Sequence, residues 1–114
     1  MDLKRLKRYA EYYNKQDGRK YPCSNQIIRC AIITDDKDKA INFMKDKSIA
    51  KEKRNAYSIE WILDNNEIWV WRNWNESCKG FRFYKVAIDK DIDEEKFCMI
   101  DRCCGLYCCS VEII

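Results

Sequence analysis

Residues 56–74 read AYSIEWILDNNEIWVWRNW, two stretches rich in β-branched and aromatic residues around the loop Asp64-Asn65-Asn66-Glu67. Their alternation of apolar and polar side chains predicts two strands, at 56–63 and 68–74. Asparagine-rich loops tolerate the left-handed backbone conformations that tight hairpins need. The segment therefore predicts an antiparallel hairpin.

The predicted hairpin pairs Leu63 with Ile68 and Trp61 with Val70, which gives it two different faces. The face expected in the core holds Tyr57, Ile59, Trp61, Leu63, Ile68 and Val70. The opposite face holds Ser58, Glu60, Ile62, Trp69, Trp71 and Asn73. Antiparallel sheets often leave one face in water, and interface energy concentrates in Trp and Arg side chains.

The sequence therefore predicts a partner-binding surface at Trp69, Trp71, Arg72 and Trp74. In the alternative, which the pattern leaves open, a helix covers this face and Trp69 and Trp71 belong to the core.

Upstream of the hairpin, apolar side chains at helical spacing predict an amphipathic helix over 2–16, followed by a connection at 18–25. The apolar stripe of this helix holds Leu3, Leu6, Ala10 and Tyr13. The segment 27–33, IIRCAII, is apolar on both faces, which is typical of a central strand. Thr34-Asp35-Asp36 predicts the N-terminus of a helix over 35–47, with a hydroxyl N-cap and two carboxylates. Residues 45–54 are interpreted as a charged connection.

Downstream, a connection at 75–80 leads to a third strand at 81–88, FRFYKVAI. The acidic residues at 89–95 predict the start of a helix that continues to about Cys104, and 106–114 predicts a last strand. The predicted fold is α+β, an antiparallel sheet of four or five strands with two or three packed helices. At 114 residues, the chain is expected to form one domain over 1–114.

The chain contains no histidine, the commonest general base, proton shuttle and metal ligand. A Cys–His nucleophile is therefore excluded, and no local motif supports a serine–lysine arrangement. We predict that the protein is not an enzyme and has neither catalytic residues nor a cofactor.

Eight cysteines invite a test for metal binding or disulfides: Cys23, Cys30, Cys78, Cys98, Cys103, Cys104, Cys108 and Cys109. The N-terminus lacks the apolar core of an export signal, and no apolar run approaches the ~20 residues that span a bilayer. The expected location is the cytoplasm, where thiols stay reduced. Because no Cys-x2-Cys pair is present, we predict buried reduced cysteines and no metal site. A metal- or redox-responsive switch between Cys98 and Cys109 stays open as an alternative.

The segment from Gly80 to Asp89 is an apolar strand that ends in a carboxylate. It resembles the Walker B strand of P-loop ATPases, including phage terminases and helicases, and the strand at 27–33 followed by Thr34 adds a second similarity. No G-x-x-x-x-G-K-[ST] is present to hold phosphates, and Lys90 follows Asp89 where these ATPases carry an acidic residue. This resemblance implies an ATPase-like strand pattern without nucleotide hydrolysis.

The chain is short and rich in Lys, Ile, Asn and Asp, and it contains Gly-Phe-Arg-Phe at 80–83 and Asp-x-Asp-Ile-Asp-Glu-Glu at 89–95. In this it resembles small accessory proteins of phages, among them the anti-CRISPR proteins. The resemblance implies a phage-encoded, non-enzymatic binding protein that inhibits a host macromolecule. The implied partner is a host protein or ribonucleoprotein, such as a CRISPR-type defence complex, in the host cell cytoplasm.

The alternative function is a small nucleic-acid-binding module. Residues 1–54 carry 15 Lys and Arg against 8 Asp and Glu, and the predicted first helix presents a basic side. The candidate nucleic-acid-binding residues are Lys4, Arg5, Lys7 and Arg8. They would act with tryptophan side chains on which bases could stack, giving a weak contact with nucleic acid.

Overall fold

In a computed structural model, the described residues (2–14, 27–74, 82–103 and 105–114) form three helices and six strands. In chain order these are α1 (Leu3–Asn14), β1 (Ile28–Ile33), α2 (Lys37–Met44), β2 (Ile49–Arg54), β3 (Ser58–Leu63), β4 (Glu67–Arg72), β5 (Arg82–Ile88), α3 (Glu94–Cys103) and β6 (Gly105–Ile113). The predicted connections at 18–25 and 75–80 lie outside the described residues.

All six strands belong to one sheet, in the order β2-β3-β4-β1-β5-β6. β1 runs parallel to β4 and β5, and β6 runs parallel to β5, whereas β3 is antiparallel to both β2 and β4. The predicted α+β class and the central position of the IIRCAII strand are confirmed. The predicted sheet is wrong in two respects, because the observed sheet is mixed and has six strands. Residues 30–33 of β1 are apolar and fully buried, which accounts for the parallel strands, since strands buried on both faces are typical of parallel pairing under helices.

β2 lies where the sequence predicted a charged connection over 45–54, and that prediction is wrong. All six residues of β2 are exposed, and the strand pairs with β3 at one edge of the sheet. A strand with no buried side chain lacks the apolar alternation from which strands are recognised. Its conformation is set by the neighbouring strand and not by its own composition.

Helices lie on both faces of the sheet, and each face has its own hydrophobic cluster. α2 contributes Ala40 and Met44 to the cluster that includes Ile32 and Trp61. On the other face, α1 and α3 contribute Leu6, Ala10, Phe97 and Ile100, which pack with side chains such as Ala31, Ile33 and Val86. β1 supplies both clusters from alternate positions, as its uniform apolarity predicts.

The helix ends differ in detail from the prediction. α2 begins after Asp36, whose side chain accepts hydrogen bonds from the Asp38 and Lys39 amides, so the cap is this carboxylate and not the Thr34 hydroxyl. In α1, Leu6 and Ala10 are buried as predicted, but Leu3 is 42% exposed. None of the helices that the described residues form is both long and apolar enough to cross a lipid bilayer.

Candidate functional site

The β3–β4 hairpin pairs one residue out of the predicted register. Trp61 lies opposite Trp69, and Ile62 lies opposite Ile68. The loop between Leu63 and Glu67 holds an odd number of residues, and its last residue, Asn66, has a φ of 68°. This is the three-residue hairpin loop that ends in a left-handed residue, whereas the predicted pairing assumed an even loop. A shift of one residue exchanges the two faces of a strand.

The register shift places Trp69 and Trp71 in the core, whereas Trp74, which follows β4, is buried in the cluster on the other face of the sheet. Trp69, Trp71 and Trp74 are 4%, 6% and 2% exposed, and Trp61, which was predicted to be buried, is 1% exposed. The predicted solvent-exposed Trp surface is therefore wrong. The alternative in which a helix covers Trp69 and Trp71 is confirmed, since both pack in the cluster that contains α2. Tyr57, expected in the core, is 72% exposed.

Each of the three tryptophans is also held by its indole N–H. Trp71 donates to the Thr34 carbonyl and Trp74 to the Ile32 carbonyl, both at 2.9 Å. Trp69 donates to Glu67 Oε1 at 3.0 Å. A buried indole with a satisfied donor stabilises the fold and leaves no ring face for a partner.

The side of the hairpin opposite Trp69 and Trp71 carries charged side chains, several of them exposed. We call it the basic face and define it by Arg29 on β1, Lys51 and Lys53 on β2, Ser58, Glu60 and Ile62 on β3, and Ile68, Val70 and Arg72 on β4. Of the predicted partner-binding residues, only Arg72 lies on it. Ile62, Ile68 and Val70 belong to neither hydrophobic cluster of the described residues.

The charge of the basic face is strongly one-sided. It holds four cationic side chains, of which Arg29, Lys51 and Lys53 are exposed, and Glu60 is its single carboxylate. Lys51 lies opposite the half-buried Ile62, whereas the half-buried Val70 lies between Glu60 and Ala31. Partly exposed apolar side chains next to charged ones occur in many protein interfaces. Lys51 and Lys53 were missed because their segment was interpreted as a connection, although lysines two positions apart would share one face of a strand.

A second polar cluster lies where β1 and β5 end side by side, and it involves Thr34, Lys39, Asp89 and Asp91. Thr34 Oγ1 donates to Asp89 Oδ2 at 2.6 Å, and Lys39 Nζ donates to Asp89 Oδ1 at 2.5 Å. The Asp91 amide donates to the same Oδ1 at 2.9 Å. Asp89 was singled out by the Walker B resemblance, but its partner Lys39 on α2 was not.

These hydrogen bonds occupy most of the acceptor positions of the Asp89 carboxylate. Burial alone would raise its pKa, but the hydrogen bonds from Lys39, Thr34 and the Asp91 amide outweigh burial and hold the pKa below its usual value. The hydrogen bond to Asp89 in turn raises the pKa of Lys39. With three donors on about four acceptor positions, the carboxylate links β1, α2 and β5 and has little capacity for a further ligand.

A second buried carboxylate cluster forms around Glu67 at the start of β4, a position that the sequence assigned to the hairpin loop. Lys85 Nζ donates to Glu67 Oε2 at 2.6 Å, in addition to the bond from Trp69. Burial alone would raise the pKa of Glu67, but the donors Lys85 and Trp69 outweigh it and lower the pKa. Lys47 Nζ lies 4.9 Å from the ring centres of both Phe43 and Trp69. This cluster fixes the tryptophan and is structural.

The basic residues predicted on the first helix do not act as one group. Arg5 forms an ion pair with Glu94 of α3, whereas Lys4, Lys7 and Arg8 are exposed and form no ion pair with another described residue. The Trp side chains predicted to accompany them are buried.

Cys30, Cys98 and Cys103 form no disulfide bond with one another, and Cys30 is buried. Among the described residues, no three Cys, Asp or Glu side chains come together as metal ligands. Cys23, Cys78 and Cys104 lie outside the described residues.

Comparison with protein-family models, with curated proteins and with solved structures gives no match for the chain.

Proposed function

We propose that the protein is a non-enzymatic binding protein that covers a negatively charged surface of another macromolecule. The proposed contact is the basic face, with Lys51 and Lys53 as its cationic rim and Ile62 and Val70 at its centre. The partner class is a host protein or ribonucleoprotein complex in the cytoplasm of a bacterium, and occupation of its surface would inhibit it.

The observation that carries this proposal is the concentration of exposed cations on one side of the sheet beside apolar side chains that lie outside both hydrophobic clusters. Complementary charge speeds association and selects the partner, while desolvated apolar side chains supply affinity. The non-enzymatic part is supported by the three donors from the protein itself that bind the buried carboxylate of Asp89.

A nucleic-acid-binding module remains the second candidate, because Lys4, Lys7 and Arg8 form no ion pair with another described residue. On that proposal α1 would lie along a phosphate backbone, whose affinity falls steeply with salt. Base stacking on Trp69, Trp71 or Trp74 is not part of it, since these side chains are buried.

The test compares baits in a nuclease-treated bacterial lysate by quantitative mass spectrometry. One bait is the wild type and the second is the double variant Lys51→Glu/Lys53→Glu. A third, Lys4→Glu/Lys7→Glu, carries the same change of charge on α1. We expect the captured amount of at least one protein to be about tenfold or more lower on the second bait than on the wild type, which corresponds to ~1.4 kcal/mol of lost charge complementarity. The third bait should capture that protein as the wild type does.

Equal capture by all three baits would contradict the proposal. Loss on the α1 variant alone, seen only when nuclease is omitted, would favour the nucleic-acid candidate in its place.

A further inference from the structure

We infer that β2 is a docking edge for an extended, acidic peptide segment of the partner, which adds to the sheet as a seventh strand. This inference rests on the proposed function and names the form and chemistry of the partner. β2 is the last strand on its side of the sheet, and all six of its residues are exposed. An edge strand of this kind presents a row of backbone donors and acceptors to an incoming strand.

The turn that joins β2 to β3 identifies the outward-facing groups. The Asn55 amide donates to the Ser58 carbonyl at 2.9 Å, so this pair faces inward. In an antiparallel ladder, bonded and non-bonded pairs alternate. With Lys53 opposite Glu60 and Arg54 opposite Ile59, the amides and carbonyls of Lys53 face β3, whereas those of Arg54 and Glu52 face outward.

The other edge of the sheet is treated differently. Asn14, at the end of α1, donates from Nδ2 to the Val111 carbonyl at 3.1 Å and accepts from the Val111 amide at 2.8 Å. The side-chain amide thus reproduces the bonds of a neighbouring strand and blocks β6 at this point. No such contact to the outer edge of β2 is formed by another described residue.

Charge selects an acidic occupant and disfavours a second copy of this chain. Lys51, Lys53 and Arg54 outnumber Glu52, so the strand carries a net charge of +2 over residues 51–54. Two copies paired along β2 would bring these like charges within one strand spacing, which is unfavourable. A strand with carboxylates at alternate positions would instead meet Lys51 and Lys53 on the basic face.

The inference is tested with a fluorescent decapeptide of alternating Glu and Thr and with its Lys–Thr counterpart. The protein variants are Arg54→Pro and Arg54→Ala. Both remove the guanidinium, but only proline removes the outward N–H, and proline is tolerated at such edge positions. We expect the Glu–Thr peptide to bind and the Lys–Thr peptide not to bind. Arg54→Pro should bind the Glu–Thr peptide about tenfold more weakly than Arg54→Ala. The reason is that proline cannot donate a backbone hydrogen bond to the peptide and keeps the peptide backbone farther away.

Amide hydrogen exchange on the wild type provides a second measurement that does not depend on how the proline variant folds. The peptide should slow exchange at Glu52 and Arg54 at least several-fold and leave Val111 unchanged. Equal affinity for both peptides, or protection that excludes β2, would overturn the inference. If the protein captured from the lysate bound Arg54→Pro as tightly as Arg54→Ala, the inference would also be overturned. The proposed function would not be affected by that result. Concentration-dependent dimerisation through β2 would overturn the acidic occupant in favour of a second copy.

Discussion

Thr34 and Asp89 are 55 positions apart in the chain, yet the Thr34 hydroxyl donates a 2.6 Å hydrogen bond to the Asp89 carboxylate. The bond joins the ends of β1 and β5, which are neighbours at the centre of the sheet. Both side chains are buried, with Thr34 fully buried and Asp89 5% exposed. A buried carboxylate is stable in its charged form only while its donors are in place.

Asp89→Asn is therefore expected to lower the free energy of unfolding by about 1–3 kcal/mol at pH 7, because Lys39 loses its charged partner. The folded pKa of Asp89 lies below the ordinary aspartate value of 3.8, so this stabilisation is complete well above that value. It is lost as the pH falls through the folded pKa. The difference in free energy of unfolding between wild type and variant should thus decrease below about pH 4. Urea denaturation at pH 7, 5 and 3 measures this difference.

Asp91→Asn is the matched control, because the Asp91 side chain is 76% exposed and lies 3.7 Å from Lys39. Its effect should stay within about 0.5 kcal/mol. A gap for Asp89→Asn that is undiminished at pH 3 would show that the carboxylate charge is not its source.

Trp69→Ala and Trp71→Ala should each destabilise the protein as much as Trp61→Ala, by ~3–5 kcal/mol. The reason is that all three indoles share one buried cluster. Chemical denaturation followed by far-ultraviolet circular dichroism measures the effect. Tyr57→Ala, at a side chain that is 72% exposed, serves as the control and should change stability by less than about 0.5 kcal/mol. Mild effects at Trp69 and Trp71 would contradict the observed register of the hairpin.

Asn14→Ala should lower stability by about 1–2 kcal/mol and speed amide exchange at Val111, because both backbone groups of that residue lose their partner. Asn14→Asp keeps the acceptor for the Val111 amide and removes the donor to its carbonyl, so its exchange rate should lie nearer the wild type. Native-state hydrogen exchange distinguishes the two variants. Unchanged exchange at Val111 in Asn14→Ala would refute the role of Asn14 at this edge.

The elements that the sequence predicted well are those whose burial can be inferred from their own residues. Apart from Arg29, every residue of the segment IIRCAII is apolar. Its composition therefore predicts a strand that is covered on both faces. β2 could not be recognised in this way, because none of its side chains is buried.

The exposed face of the hairpin was predicted wrongly for a different physical reason. An even and an odd loop around Asn65 and Asn66 have nearly the same composition, but they place Trp69 and Trp71 on opposite faces. The choice between them depends on contacts outside the hairpin, such as the Ile28 amide that donates to the Asn66 carbonyl at 2.9 Å. Likewise, Asp89 can be recognised from the sequence around it. Its ion pair with Lys39 cannot, because it forms only once β1 and β5 are paired.

The position of β1 between β4 and β5 also has a consequence for biosynthesis. Ala31 pairs with Val70 on one side and with Val86 on the other, so the central strand is made long before either neighbour. At ~5–20 residues per second, the ribosome needs about 1–3 s to add residues 73–88 after β4 has been made. During that interval the β5 side of β1 is unpaired. An unpaired strand edge favours aggregation, and the sheet is completed only after β6, which pairs with β5, has left the exit tunnel.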